Sequence, residues 1–154
     1  MISQLQKLKP VLAIAPATQA GGSTGKWLSM KNILKVLVEV VIIQGAADTC
    51  AITIEQATAV AGTNNTVITE PVPIYSNLDC DTSDVLVKRT NAVNYTTDAA
   101  TESKIVVFEI AADKLDVNTY DCINVNLGSS SGSNIAAATY WCELRYSGAD
   151  LDAD

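Results

Sequence analysis

The stretch Ile33–Ile43, ILKVLVEVVII, decides the fold of this 154-residue chain. In an extended conformation its residues alternate between two faces, and every even-numbered position from Leu34 to Ile42 is apolar. The opposite face mixes Lys35 and Glu39 with further apolar residues. Because β-branched residues dominate the run, its pattern favours a strand over a short buried helix.

The same strand pattern recurs along the rest of the chain. Val, Ile and Thr together supply 43 residues, a β-branched excess that favours strands. Seven or eight short strands with frequent turns are typical of an all-β fold, here an antiparallel β-sandwich or barrel-like domain, rather than of βαβ units. After residue 43 the pattern predicts strands at 50–54, 66–69, 72–75, 85–89, 105–110, 122–127 and 135–146.

The connections between these strands carry three further expectations. Pro71 and Pro73 place the strands at 66–69 and 72–75 at a sheet edge. The polar, Thr-rich segment Asn91–Lys104 is predicted to be a long loop or surface ribbon. The Gly, Ser and Asn residues of Gly128–Asn134 indicate a long hairpin connection between its two flanking strands.

Residues 1–25 are predicted to form an extended N-terminal arm, and residues 26–154 a β-sandwich domain. Pro10, Pro16 and the cluster Gly21–Gly25 prevent a continuous helix or a central strand in the first segment. The body strands are therefore predicted to begin after Lys26. Deletion of residues 1–25 is expected to leave the body folded.

Charge and length restrict the classes of partner. The first 35 residues contain five lysines and no acidic residue, so they carry a charge of +5. The remaining residues carry −12, and the sum is the net charge of −7. An acidic body argues against nucleic acid as the main partner, because phosphate binding needs basic residues. The eleven residues of Ile33–Ile43 are too few for a membrane span, which needs about 20. We therefore expect neither a nucleic acid nor a membrane as partner.

Catalytic and metal-binding motifs are weak. The sequence has no histidine, so the usual general base and the commonest metal ligand are both missing. The segment Gly21–Lys26 lacks the first glycine of a phosphate-binding loop and the Ser or Thr after the lysine. The acidic segment Asp79–Asp84 offers carboxylate oxygens but lacks the glycine and the final glutamate of a calcium-binding loop. Asx-type turns are therefore favoured there. We expect no enzyme activity, no catalytic residue, no metal and no cofactor.

The four cysteines Cys50, Cys80, Cys122 and Cys142 have no zinc-like spacing. Cys50 shares a strand face with isoleucines and is expected to be buried, whereas Cys80 lies in a polar loop and is expected to be accessible. The strand parity of Cys122 and Cys142 disfavours a bond between them. The sequence is compatible with two alternatives. Either all four cysteines are reduced, or at least one disulfide forms within a chain or between chains.

Five residues are candidates for an interface. Lys7, Lys9 and Lys26 belong to the basic segment that precedes and enters the first body strand. Trp27 and Trp141 have the two largest apolar side chains, and tryptophan is enriched at binding hot spots. Packing in the core or at an edge is the alternative interpretation of both tryptophans.

The order of strands and turns over residues 25–146 resembles small virion proteins of tailed bacteriophages, of the kind found among capsid decoration (cement) and other head components. The resemblance rests on the following segments: Gly25–Met30 (GKWLSM), Val36–Ile43, Gly45–Thr49 (GAADT), Ile54–Thr63 (IEQATAVAGT), Phe108–Ile110, Leu115–Asp116, Tyr120–Cys122 and Arg145–Tyr146.

This resemblance implies a β-rich, non-enzymatic protein on the capsid surface of a virion. Its implied partners are the major capsid protein and copies of itself, as a homotrimer or another homo-oligomer, and it would stabilise the lattice against internal pressure. Disulfides between subunits, a departure from that group, could strengthen such a shell. Two alternatives are a tail or neck component of the particle and a secreted β-sandwich binding module.

Overall fold

The computed structural model describes residues 4–116 and 119–146. Strands make up most of this part of the chain, and its helices are two short 3-10 turns, Gln4–Gln6 and Ala112–Lys114. In chain order the strands are β1 (Leu8–Thr18), β2 (Ser23–Thr24), β3 (Leu28–Ser29), β4 (Ile33–Gln44), β5 (Ala51–Ala57), β6 (Thr66–Val67), β7 (Val72–Asn77), β8 (Val87–Ala92), β9 (Asn94–Thr96), β10 (Ser103–Ala111), β11 (Cys122–Leu127) and β12 (Asn134–Leu144).

These strands form two antiparallel sheets that pack face to face. Sheet I has the order β1-β12-β4-β10-β7-β8. Sheet II has the order β2-β11-β5-β6, with β3 also paired to β11 and β9 also paired to β5. The apolar inner faces of both sheets form one shared core. The predicted all-β fold is therefore confirmed as a sandwich, and the sheets do not close into a barrel.

Strand β4 lies inside sheet I, paired with β12 on one side and β10 on the other. Its even-numbered residues Val36, Val38, Val40 and Ile42 are fully buried in the core. Nine consecutive register pairs join β4 to β10, from Lys35 to Ile43. The predicted apolar face is thus confirmed from Val36 to Ile42 and is wrong at Leu34, which is 52% exposed, because a register shift near the start of the strand places Ile33 in the core instead. The odd-numbered residues from Lys35 to Ile43 point away from the core.

The segment predicted as an arm is extended, but most of it is an edge strand of sheet I. Strand β1 pairs with β12 along its length and buries Ala13 and Ile14 in the core. The prediction that body strands begin after Lys26 is wrong, because an edge strand needs hydrogen bonds on one side only and so accommodates Pro10 and Pro16. The division of the chain at residue 25 into an arm and a domain stays a prediction.

Two predicted connections also differ from the structure. Gly128–Asn134 does not join a hairpin, because β11 belongs to sheet II and β12 to sheet I. Of the two strands predicted at an edge, β6 lies at the end of sheet II, but β7 is not at an edge, since it lies between β10 and β8. Pro73 is tolerated there because it lies at a register shift toward β8 and outside the paired residues toward β10.

A buried polar cluster lies in the segment Asn91–Lys104, which was predicted to be a loop and contains β9 and the start of β10. Lys104 is fully buried, and its Nζ donates hydrogen bonds to the carboxylate and the main-chain oxygen of Asp98. Gln44 Nε2 donates to the same main-chain oxygen at 2.8 Å, and the Thr97 hydroxyl donates to Gln44 Oε1 at 3.1 Å. The buried ammonium group therefore has a charged partner, as burial of a charge requires.

Candidate interaction surface

The outward face of sheet I carries many apolar side chains that the described chain leaves uncovered. Three strands contribute alternate residues to it, and side chains directly opposite one another in the register share this face. We call the following set the outer patch: Leu37, Val41, Ile43, Ile105, Val107, Ile135, Ala137 and Trp141.

The register makes the outer patch continuous across three strands. Ile43 of β4 is paired with Ile135 of β12, and both are well exposed, at 54% and 39%. Val41 lies between Ala137 on one side and Ile105 on the other. In the row at Val41, apolar side chains therefore run from β12 through β4 to β10 without a polar gap, the kind of exposed patch that marks an interaction site. The pair Thr139–Glu39 lies between this row and the pair Trp141–Leu37.

Two pairs of polar groups on this face are bonded to each other. Lys35 Nζ donates to Glu109 Oε1 at 3.0 Å, across β4 and β10. This hydrogen bond, with the attraction between the two charges, raises the pKa of Lys35. Trp141 Nε1 donates to Glu39 Oε2 at 2.9 Å. A partner that covers the face would therefore meet polar atoms that already have partners, which lowers the cost of removing water.

A cleft of about 290 Å³ borders the outer patch. Ile105 and Val107 of the outer patch line it together with Leu86, Cys80 and four polar residues, Glu39, Asn77, Ser83 and Asp84. Leu86 is 49% exposed and is flanked by two other exposed apolar residues, Val85 and Val87. The apolar surface therefore continues from the sheet face to the segment that leads into β8.

The three predicted interface lysines lie at the β1 side of the sandwich. Lys7 and Lys26 are exposed, and Lys9 is half-buried in β1. The Lys7 main-chain oxygen accepts a hydrogen bond from Leu144 N, and Lys26 N donates to the Ala13 main-chain oxygen at 3.1 Å. The structure thus places Lys7 and Lys9 at the start of β1 and Lys26 beside its middle, and their role in binding stays a prediction.

The two tryptophans lie apart. Trp141 is half-buried on the outer patch, opposite Pro10 in the register. Trp27 packs against Gly62, where φ is +74° and an added Cβ would come within 2.5 Å of the indole nitrogen. Trp27 therefore has a local packing role that requires glycine at position 62, whereas Trp141 belongs to the candidate surface.

No disulfide joins any of the four cysteines, all of which lie in the described part of the chain. Cys50, Cys122 and Cys142 are buried, and burial raises the pKa of Cys142 to about 12. Cys80 is half-exposed, and burial also raises its pKa. The possibility of a disulfide within the chain is therefore not realised, and Cys80 is the cysteine placed to react with another molecule.

The acidic loop forms the Asx-type turn that its sequence favours. Asp79 Oδ1 accepts a hydrogen bond from Thr82 N at 3.1 Å, and its main-chain oxygen accepts one from Ser83 N at the same distance. Asp81 Oδ2 accepts a hydrogen bond from Ser103 N at 3.3 Å. Asp79 therefore shapes the turn, and Asp81 holds the loop against the first residue of β10. The described residues include no group of three or more acidic or Cys side chains arranged to hold a metal ion.

Most residues of the outer patch were not among the predicted interface residues. The available signal was in β4, where Leu37, Val41 and Ile43 make the second face almost as apolar as the first. An interior strand of a two-layer sandwich has one face in the core, so apolar residues on both faces indicate a second covered surface. Ile105 and Ile135 could not be assigned to that surface without the strand order.

Comparison with protein-family models gives no match, and comparison with curated proteins gives none. Among solved structures, the crystal structure of SPBc2 prophage-derived protein YomS is a distant likeness, with 9% sequence identity and a TM-score of 0.47. The alignment covers 88% of this chain and 93% of that chain. Neither helical turn in the described part of the chain is long or apolar enough to cross a membrane.

Proposed function

We propose that the protein is a non-enzymatic structural protein of a phage particle, and that it binds and stabilises the capsid lattice as a decoration protein. The outer patch is the observation that carries an assembly role. It is continuous across β12, β4 and β10, and soluble monomers rarely expose a large contiguous apolar surface without a partner.

The proposed partners are the major capsid protein and further copies of this chain. On a repeating shell many modest contacts act together, because each bound copy raises the effective concentration of the next contact. The acidic body keeps free copies apart in solution, since like charges repel before assembly. The sequence resemblance to phage head components supplies the choice of a capsid as the lattice.

Binding to particles that lack this protein tests the proposal. Val41→Lys, alone and with Ile43→Lys, places charge in the centre of the outer patch and should lower occupancy on the particles at least about 10-fold. Val67→Lys is the matched control, because Val67 of β6 is 38% exposed and Val41 is 37% exposed. The control should bind as the wild type does. If both outer-patch variants reach the same occupancy as the wild type and the control, the outer patch does not bind the shell.

The copy number distinguishes decoration from a tail or neck location. A decoration protein covers a lattice and is present in hundreds of copies, whereas a neck or tail component is present in a few or in dozens. Quantitative mass spectrometry of purified particles, with the major capsid protein as internal reference, gives this number. A count in the low dozens would contradict a location on the capsid lattice and would favour a neck or tail location.

A further inference from the structure

Strand β8 leaves one edge of sheet I open in the described part of the chain. It pairs with β7 on one side, and no described strand pairs with its other side. The first residue of β8, Val87, and the two residues before it, Val85 and Leu86, are all exposed. A run of exposed apolar residues at an open edge is unusual for a monomer, because such an edge is a template for a strand from another chain.

The opposite edge of the same sheet is protected. Strand β1 carries Pro10 and Pro16, which have no N–H to donate. Two register shifts, between Leu12 and Ile14 and between Ile14 and Ala17, interrupt its ladder. Prolines and irregularities are the usual means of blocking edge pairing. The edge at residues 84–88 has no proline, so the two edges of sheet I differ in their capacity to accept a strand.

We propose that two copies of the chain pair through residues 84–88, in antiparallel orientation and centred on Leu86. These residues read DVLVK. A two-fold axis at Leu86 places Asp84 opposite Lys88 of the partner subunit, Val85 opposite Val87 of the partner subunit, and the two copies of Leu86 opposite each other. The segment is therefore complementary to itself, with an ion pair at each end and three apolar pairs between them.

The charged pairs and the central leucines share one face of the sheet. Lys88 is paired with Tyr75, which is itself paired with Val107 of the outer patch. Asp84 and Leu86 both line the cleft beside Val107. All three residues of the segment with even numbers therefore lie on the outward side, and the two valines alternate with them on the inner side.

Asp84 and Lys88 are available for this pairing. Both are exposed, and neither forms an ion pair with another described residue. Within one chain they are four residues apart, about 13 Å along a strand, which is too far for contact. Directly opposite residues of two strands are only about 5 Å apart, so the second copy supplies the opposite charge at contact distance.

The ladder ends where either strand becomes irregular. Arg89 donates from Nε to Ser76 Oγ at 2.7 Å and is held by its own sheet. A register shift toward β7 follows it, and the turn shaped by Asp79 lies before Asp84. The contact is therefore short, and we expect weak association in solution that a repeating lattice strengthens through effective concentration.

The pairing determines how two outer patches are oriented. Opposite residues of antiparallel strands share a face, so the two-fold axis is perpendicular to sheet I. Both outer patches consequently face the same way, and one dimer can contact a lattice at two places. In this respect the inference rests on the proposed function and deepens its self-assembly part.

Sedimentation equilibrium of the full chain at concentrations up to about 1 mM tests the pairing, and the wild type should dimerise. Asp84→Lys and Lys88→Glu each create two repelling pairs and should each raise the dissociation constant at least about 10-fold. The double variant exchanges the charges and should recover most of the affinity. The control double variant, Asp48→Lys with Lys31→Glu, makes the same charge changes at exposed positions outside the strands and should have no effect.

A mixture of the two single variants tests the register. The Asp84→Lys chain and the Lys88→Glu chain should form a heterodimer, because every repelling pair becomes an attracting pair across the two chains. The matched mixture, Asp48→Lys with Lys31→Glu, has the same opposite net charges and should associate no more tightly than the wild type. This control distinguishes paired residues from general attraction between the chains.

Four results contradict the proposal: a wild type that stays monomeric, no recovery in the double variant, no heterodimer in the mixture, or equal effects in the controls. Dimerisation is measured without particles, whereas the proposed function is measured as occupancy on particles. A protein that dimerises and does not bind particles would contradict the proposed function alone. A protein that binds particles and fails these four measurements would contradict the pairing alone.

Discussion

The Tyr140 hydroxyl, from β12 of sheet I, accepts a hydrogen bond from the backbone N–H of Val125, in β11 of sheet II, at 3.0 Å. The same hydroxyl donates to the Lys26 main-chain oxygen at 2.9 Å. Tyr140 is fully buried, and burial raises its pKa. An added Cβ at Gly25 would come within 3.1 Å of the hydroxyl and 2.9 Å of the Val125 oxygen. One side chain thus joins both sheets at the gap between β2 and β3.

Tyr140→Phe should lower the free energy of unfolding by about 1–3 kcal/mol, because it leaves the buried Val125 N–H without a partner and removes the bond to the Lys26 oxygen. Urea denaturation monitored by circular dichroism measures the change. Tyr146→Phe is the control, since Tyr146 is 70% exposed, and it should be neutral. Equal stability of Tyr140→Phe and the wild type would mean that water replaces the hydroxyl.

Removal of residues 1–18 should destabilise the sandwich. The sequence alone predicts that the body stays folded without residues 1–25, but β1 buries Ala13 and Ile14 and pairs with β12. The loss of this burial and of the ladder hydrogen bonds should lower the free energy of unfolding by at least about 3 kcal/mol. Deletion of residues 1–6, which leaves every residue of β1 in place, should change it by less than about 1 kcal/mol. A fully stable 19–154 fragment would establish the segment as a separable arm.

Acid should weaken the fold partly through Asp98. The hydrogen bond from Lys104 lowers the pKa of Asp98 below its usual value in the folded state. A lowered carboxylate pKa contributes stability that is present above the unfolded pKa of about 3.9 and is lost as pH falls through the folded pKa. Stability of the wild type should therefore decline more steeply below about pH 4 than that of Asp98→Asn.

Two variants at neutral pH distinguish the contribution of the Lys104–Asp98 ion pair to stability from the cost of burying the Lys104 charge. Asp98→Asn should lower the free energy of unfolding by about 1–2 kcal/mol, less than for a fully buried pair, because the Asp98 side chain is 51% exposed. Lys104→Met removes the buried charge together with the need for a partner and should stay within about 1 kcal/mol of the wild type. Thermal unfolding from pH 2 to 8 measures all three proteins. An identical acid profile for the wild type and Lys104→Met would exclude the pair as its source.

One thiol of the four should react quickly in the native protein. Cys80 is half-exposed, whereas the other three are buried and the pKa of Cys142 is raised to about 12. Titration with a thiol reagent at pH 8 should give one fast equivalent natively and four in denaturant. Cys80→Ser should abolish the fast equivalent, and any disulfide between chains should disappear with it. Two or more fast thiols would show that the core opens on the time scale of labelling.

Local alternation was sufficient to predict the strands that line the core. The run at β4 and the bounds of β11, Cys122–Leu127, follow from period-two patterning, because burial on one face selects apolar residues at alternate positions. The turn at Asp79 was likewise predictable, because the hydrogen bond of an Asx-type turn reaches only as far as Thr82, three residues along the chain.

Long-range pairing could not be predicted in the same way. Pro10 and Pro16 exclude a central strand but are compatible with both a free arm and an edge strand, and only the presence of β12 decides between them. Gly128–Asn134 has the composition of a hairpin loop whether its flanking strands share a sheet or not. Lys104 shows the same limit, because the partner that permits its burial, Asp98, lies in a segment without strand periodicity.

The hydrogen bond between Trp141 and Glu39 on the outer patch gives the protein an optical reporter of its own assembly. Indole emission shifts to shorter wavelength when water leaves the ring, and Trp141 is half-buried on the face that a partner would cover. Trp27, the other tryptophan of the sequence, is held against Gly62 at a distance from that face. In Trp27→Phe the emission spectrum therefore follows the outer patch alone, without any added dye.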